Sequence, residues 1–386
     1  MLGTERVRVA EWHKGIQEIA KQLDRENIKI LSAMWKLGPR NLLEVSRRTR
    51  IPFTSVYHRV AKLEAKSKRV ASIIPQVSKL GMLRVVVLAT ASPGSEERVT
   101  AAMRIPNLWR SANRCEGSFT HFSVHTVPVR FLKEFKTYVR RIFELGLITQ
   151  SKIILTCDYV PNFPNFKYYD SVSNQWTFRW SHWLAMLKNR PSRTIGDPAD
   201  YSVLMDRKDL LILKELEKNA RRSFADLAPL LGMSLQGVKY RYDNKLVPSG
   251  IVKCIAFDVL PYPEEVSACH EVLLKFTSKR AMNKFFSLID ELFFVLGVAK
   301  VLHENSLMVR THTLQSQVAN LFSFFSQMAK EGMLESYSAI RQDFTGREVQ
   351  TISYELFDEA GWTFDLRKCL LELSKLARLA RVRQSV

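Results

Sequence analysis

The sequence predicts an α+β protein made of two tandem copies of one unit. Each unit is a three-helix head followed by a βαββαβ domain and closed by a Trp-Thr-Phe extension and helix. Three observations predict this. A segment near the N-terminus returns 182 positions later, from Asp24 to Asp206. The apolar period changes from helical to strand-like at the same point of each half. The tripeptide Trp-Thr-Phe occurs at Trp176 and again at Trp362, ahead of an apolar helical run each time.

The repeat is far longer than a solenoid period. "LDRENIKIL" (Leu23–Leu31) lies over "MDRKDLLIL" (Met205–Leu213), and the register continues through Glu44 on Asp226, Val56 on Val238 and Arg59 on Arg241. In the second head, Leu210, Leu213 and Leu216 mark one helix, and Phe224, Leu227, Ala228 and Leu231 a second. Gly232 suits a left-handed turn and Ser234 a helix cap, and Val238, Tyr242 and Leu246 form the apolar face of a third helix. The first head repeats the plan around Ile30–Trp35, Leu42–Thr49 and Phe53–Leu63, with Pro52 tolerated at a helix start. Beyond each head, "LRVVVLATA" (Leu83–Ala91) and "HEVLLKFTS" (His270–Ser278) open a series read as strand, helix, two strands, helix, strand. That order is the ferredoxin-like layout. Trp176 and Trp362 follow the last strand of each series, where a Trp packs a tail onto its own domain or a partner.

Fifty-eight Lys and Arg against 38 acidic residues give a net charge of +20, which favours polyanionic partners, nucleic acid first. The excess is concentrated in the first head: from Lys36 to Arg69 there are ten Lys or Arg against Glu44 and Glu64. The five cysteines show no CxxC spacing and read as buried free thiols. No run reaches the length of a membrane span and the first residues lack a signal-peptide pattern, so the expected location is cytoplasmic, on the nucleoid.

The second head resembles the winged helix-turn-helix of the Lrp/AsnC (feast/famine) family of transcriptional regulators, in its archaeal type. The resemblance is carried by Asp206, Asp209, Ile212-Leu213, Leu216, Asn219-Ala220-Arg221-Arg222-Ser223, Asp226-Leu227-Ala228, Gly232-Met233-Ser234, Val238 and Arg241. The first head departs from it, with "GPRN" for "NARRS" and "RIPF" for "GMSL". The implied organisation is an N-terminal helix (1–23), winged helix-turn-helix 1 (24–70), ferredoxin-like domain 1 (71–160), an aromatic extension and linker (161–204), winged helix-turn-helix 2 (205–254), ferredoxin-like domain 2 (255–343), and a C-terminal extension with a basic helix (344–386). The resemblance implies double-stranded DNA as partner, read by the third helix of each head in the major groove. The candidate DNA-binding residues are Arg47, Arg48, Thr54, Ser55, Tyr57, His58, Arg59 and Lys62 in head 1, and Ser234, Gln236, Lys239, Tyr240, Arg241 and Lys245 in head 2. Arg59 and Arg241 suit a phosphate contact or a brace within the head. A small-molecule effector such as an amino acid, and a homodimer, stay open.

No P-loop, GxGxxG, HExxH or GxSxG pattern is present, and the expectation is a protein that is not an enzyme, without cofactor or metal. His121 and His125 share a strand face at a spacing that suits two metal ligands, but no third ligand is evident. Two alternatives stand beside the regulator. One is a nucleoid protein of low sequence specificity. The other is a siroheme decarboxylase-like enzyme, whose family shares the Lrp fold and uses His and Arg around an anionic tetrapyrrole. The nearest stretches here, "FTHFSVHT" and "KVLHENSLMVRTHT", do not match that family's motifs.

Overall fold

The computed structural model describes residues 6–8, 19–67, 70–257, 259–343 and 346–383. Head 1 contains α1 (Arg25–Leu37), α2 (Leu42–Thr49) and α3 (Phe53–Ser67). Asp24 caps α1 by accepting from the Asn27 amide at 2.7 Å, and Asn41 caps α2. Arg50 ends α2 at φ +59°, the left-handed position that glycine holds in most helix ends.

Strand β2 (Ala71–Ile74) leads into β3 (Met82–Ala91), α4 (Glu96–Arg104), β4 (Trp109–Glu116), β5 (His121–Pro128), α5 (Leu132–Glu144) and β6 (Ile148–Thr156). An extension follows: β7 (Val160–Pro161), the hairpin β8–β9 (Tyr169–Asp170, Gln175–Trp176) and α6 (Trp180–Asn189).

Head 2 contains α7 (Arg207–Lys218), α8 (Phe224–Leu231) and α9 (Leu235–Arg241), the last continued by a π-helical turn over Tyr242–Leu246. Gly232 takes φ +58° and Ser234 caps α9 through the Gly237 amide, as the sequence predicts. After it come β10 (Cys254–Phe257), β11 (Ser267–Phe276), α10 (Lys279–Leu288), β12 (Val295–Lys300), β13 (Ser306–Leu314), α11 (Val318–Lys330) and β14 (Leu334–Gln342). The chain closes with β15 (Glu348–Gln350), the hairpin β16–β17 (Phe357–Asp358, Gly361–Trp362) and α12 (Leu366–Arg383). The helix expected from Glu5 is corrected in part: Arg6–Arg8 form a strand, β1, paired with β15. Residues 9–18 of that expectation lie outside the described residues.

The strand order β6-β3-β5-β4 in the first half has its counterpart in β14-β11-β13-β12, and β4 pairs with β14 to join them in one sheet. Strand β3 shows why its sequence is a nearly unbroken apolar run. Leu83, Val85, Val87 and Ala89 face the helices, packing with Phe135, Tyr138 and Ile142 of α5. Val86 and Leu88 point the other way, into a cluster with Val301, Met308 and Ile340 of the second half. With both faces buried, alternation disappears. All five cysteines are free thiols, four of them buried.

The Trp-Thr-Phe extensions cross over. Trp176 stacks on Phe293 of the second half with ring centroids 4.5 Å apart, and Trp183 of α6 is fully buried there among Phe285, Phe293 and Phe294. Trp362 packs on the first half, where its indole N–H donates to the Leu80 carbonyl at 2.6 Å and Arg130 donates to its own carbonyl. Cys369 and Leu373 of α12 are buried against the same core, while Arg367, Lys368, Lys375 and Arg378 are exposed. Each extension therefore closes the opposite half, which corrects the picture of a unit closed by its own tail.

The heads also meet. Strands β2 and β10 pair antiparallel over four residues each, and the Ala220 amide donates to the Ala71 carbonyl. The Arg40 guanidinium donates to the carbonyls of Ala220 (2.8 Å) and Arg222 (2.9 Å) and lies 3.9 Å from the centre of the Phe224 ring. In the reverse direction, Arg221 donates to the Pro39 carbonyl and to Glu64. Arg40 sits in the stretch where head 1 departs from the family pattern, so that departure builds the head-to-head contact.

Because Trp362 belongs to the core of the first half, Trp362→Ala is expected to cost about 3–5 kcal/mol of stability. Amide exchange should accelerate in β3 and α5 while β11 and α11 stay protected. Faster exchange confined to the second half would contradict the crossover.

Candidate nucleic-acid interface

Each head ties its third helix to its first through one arginine. Arg59 of α3 donates to Asp24 (2.7 Å) and Asn27 (3.1 Å), and pairs with Glu26. Arg241 of α9 donates to Asp206 (2.7 Å) and Asp209 (2.8 Å). Asp206 and Asp209 also form a capping box at the start of α7, so two carboxylates serve the helix end and the brace together. Lys245 joins them, bonded to Asp209. Burial raises the pKa of Asp206, but the Asp209 amide, Arg241 and Lys245 outweigh it and hold the carboxyl at about 2. Desolvation likewise acts against the charge of Arg241, and its two carboxylate partners overcome it. Arg59, Arg241 and Lys245 are thus occupied within the heads.

The remaining candidates face outward. On α3, Thr54, Tyr57, His58 and Lys62 are exposed and Ser55 is half-buried. On α9, Gln236, Lys239 and Tyr240 are exposed, Tyr240 to 67%. Their opposite faces are fixed by Val56, Val60 and Leu63, and by Val238, all fully buried. Arg48 is exposed at the end of α2, and Arg47 next to it is paired only loosely with Glu44 at 3.5 Å. Ser234 is exposed, but its hydroxyl is engaged as the α9 cap. The two third helices therefore present polar faces, and the head-to-head contact fixes their relation.

Head 1 has a feature that sequence reasoning missed. A polar hollow of about 710 Å³ lies beside α3, lined by Thr54, Ser55, His58 and Lys62 of that helix, by the start of α1, and by Ser171 and Asn174 from the β8–β9 hairpin. The hairpin is 117 residues from Thr54 (171 − 54), and no local signal in the sequence connects them.

A second polar group lies inside the protein, on strand faces that meet between the two halves. Arg84 donates to the Thr156 hydroxyl at 2.9 Å, and Arg310 is paired with Glu271. The Tyr159 ring lies 5.6 Å from the Arg84 guanidinium and 5.8 Å from that of Arg310. Burial lowers the pKa of Arg84 to about 10 against the opposing pull of Glu271. Both side-chain polar atoms of Gln342 and the Nε of Arg347 are buried without a hydrogen-bond partner. The one sequence signal was an arginine inside the apolar run of β3. His121 bonds to Thr120 and the Glu96 carbonyl, and His125 to Ser123. Burial holds His125 neutral, with its pKa lowered to about 3. Among the described residues no three His, Cys, Asp or Glu side chains cluster as a metal site, and no helix is long and apolar enough to cross a membrane.

Comparison with known proteins gives two results. Residues 205–244, most of head 2, match the AsnC-type helix-turn-helix domain. In overall structure the chain is similar to the siroheme decarboxylase NirDL, with a TM-score of 0.51 and 13% identity, over 92% of this chain and 100% of that chain. The complex of that enzyme with an iron-uroporphyrin III analogue gives the same figures. The Escherichia coli AsnC structure aligns with 36% of this chain and 91% of its own at 19% identity, with a TM-score of 0.28. No curated protein matches in sequence. At 13% identity the full-length likeness concerns the fold. It nevertheless corrects the expectation of a protein that is not an enzyme, because the structure that shares this fold along 92% of the chain is that of an enzyme.

The Asp206 brace sets an acid limit on head 2. Its folded pKa of about 2 lies below the ordinary 3.8, so its contribution is complete above pH 3.8 and is lost as pH falls towards 2. Asp206→Asn should lower stability at neutral pH and flatten the decline between those values, as followed by chemical denaturation at a series of pH values.

Proposed function

We propose that the chain is a sequence-specific DNA-binding transcriptional regulator formed from two fused Lrp-like units. The observation that carries this reading is the exposed face of α9, Gln236, Lys239 and Tyr240, within the segment that matches an AsnC-type helix-turn-helix. Side chains of this kind read base edges in the major groove. In head 1, Thr54, Tyr57, His58 and Lys62 take the corresponding place, and Arg47 and Arg48 supply charge for phosphates. The fused-pair reading is supported by the pairing of equivalent positions at the head contact. The bond from Arg40 to the Arg222 carbonyl and the bond from Arg221 to the Pro39 carbonyl each span 182 residues. Each bond thus joins a position to its own equivalent, as residues beside the axis of a symmetric dimer do.

A second reading has its own observation. The interior brings Arg84, Arg310 and Arg347 close to Glu271, with Asp158 a weaker influence on Arg84, and leaves the Gln342 amide unpartnered. Excess buried positive charge suits a substrate rich in carboxylates, and NirDL binds an iron-uroporphyrin analogue on the same fold. On this reading the chain is a tetrapyrrole-binding enzyme, and the arginines hold substrate carboxylates.

One preparation of purified chain tests both. In vitro selection of duplex DNA at near-physiological salt should enrich a motif with two unequal half-sites, and Lys239→Ala with His58→Ala should abolish the enrichment while nonspecific retention persists. Retention without enrichment favours a nucleoid protein of low specificity. Titration with iron-uroporphyrin III, followed by its visible absorption, tests the second reading, which expects a saturating spectral shift that Arg84→Ala weakens. A saturating spectral shift together with absent DNA retention would replace the regulator by the enzyme.

A further inference from the structure

We propose that the hollow between α3 and the β8–β9 hairpin seats one sugar–phosphate strand of the DNA bound by head 1, and that the hairpin tip is a DNA-contacting element outside the three-helix head. The proposal rests on the DNA-binding reading above and adds a contact that the helix-turn-helix itself does not supply.

The hairpin is held rigidly beside head 1. Phe163 stacks on Trp35 of α1 with centroids 5.3 Å apart, and Phe166 packs on Phe163, Tyr169 and Trp176. Trp176 in turn stacks on Phe293. The tip is built to turn its polar groups in a fixed direction. The Asp170 carboxylate accepts from the Val172 amide and the Ser173 hydroxyl, which directs its charge into the turn. Asn174 takes φ +55°, and its carbonyl oxygen accepts from the Tyr169 hydroxyl, so its amide N–H₂ group keeps its donors for another partner.

The lining chooses the occupant. Lys62 and Lys21 bring positive charge, Thr54, Ser55 and Ser171 bring hydroxyls, and Asp24 is neutralised by Arg59. Among the described residues, the only apolar lining residue is Leu23. Small-molecule sites are enclosed mainly by apolar walls, whereas a phosphodiester strand asks for cations and neutral donors along an open channel. The position is also right: a helix inserted in the major groove has a phosphate strand along each flank, and the hairpin tip stands along one flank of α3. The corresponding hairpin of the second half, β16–β17, turns through Asp358 and Glu359 in place of Asp170 and Ser171. That acidic tip disfavours phosphate, so the strand seat belongs to head 1 alone.

Opposite charges placed at Ser171 in the full chain test the proposal, with binding to a mixed-sequence duplex measured from about 50 to 200 mM salt. Ser171→Lys should tighten binding and steepen the slope of log K against log salt by about one, as expected for one added phosphate contact. Ser171→Glu should weaken binding about fivefold, the effect of one like charge close to a phosphate in water. Shifts of opposite sign from one turn position cannot come from misfolding. If both variants bind within twofold of the wild type, the strand seat is overturned and the DNA reading stands. A wild-type chain that retains no duplex at any of these salts overturns both.

Discussion

The structure depends on an exchange of cover between its halves. The helices α4 and α5 on the first sheet leave an apolar surface that is completed by Trp362, Cys369 and Leu373 from the far end of the chain. The second half is completed by Trp176, Trp183 and Leu187 from the middle. Buried apolar surface is the main stabilising contribution in a fold, at about 25 cal/mol per Å², and large aromatic side chains carry a large share of it. Each core therefore includes aromatic side chains from the other half's extension. The crossover also decides where functional groups stand, because the segment that carries Trp176 to the second half passes head 1 and leaves the β8–β9 hairpin beside its third helix.

A similar economy governs the heads. Arg40 is largely removed from water, which acts against its charge, and two backbone carbonyls and the Phe224 ring replace the lost hydration. Arg59 and Arg241 have carboxylates instead and stay firmly charged. These three arginines are structural, and the polar side chains Thr54, His58 and Lys62 of α3 and Gln236 and Lys239 of α9 stay exposed beside them. The interior pair differs. Arg310 has a full carboxylate partner, whereas Arg84 has a hydroxyl and a shared ring. A buried cation with so modest a partner is costly, and positions of that kind are commonly kept for a ligand.

Much of this was legible in the sequence because it is local. The cap at Ser234, the left-handed Gly232 and the helical spacing of each head follow from side chains within a few residues of one another. The strand runs could be read for the same reason, although β3 concealed that its two faces serve different cores. The excess of positive charge and its concentration in head 1 are properties of composition. Arg59 and Arg241 could be singled out, but whether they touch phosphate or brace the head depended on where Asp24 and Asp206 lie after folding.

The sequence by itself thus determined the helices of the heads and the strands and helices of the two βαββαβ series, their order, the polar faces of the third helices and the sign of the charge they carry. Tertiary structure alone decided which tail covers which sheet, since Trp176 and Trp362 have the same neighbours in sequence whichever half they cover. It alone placed Arg40 against carbonyls 180 and 182 positions away, and Ser171 across a hollow from Thr54. It also brought both Arg84 and Arg310 to the Tyr159 ring. Periodicity and capping act over one or two turns of chain, whereas these contacts join segments that only the packing of whole domains brings together.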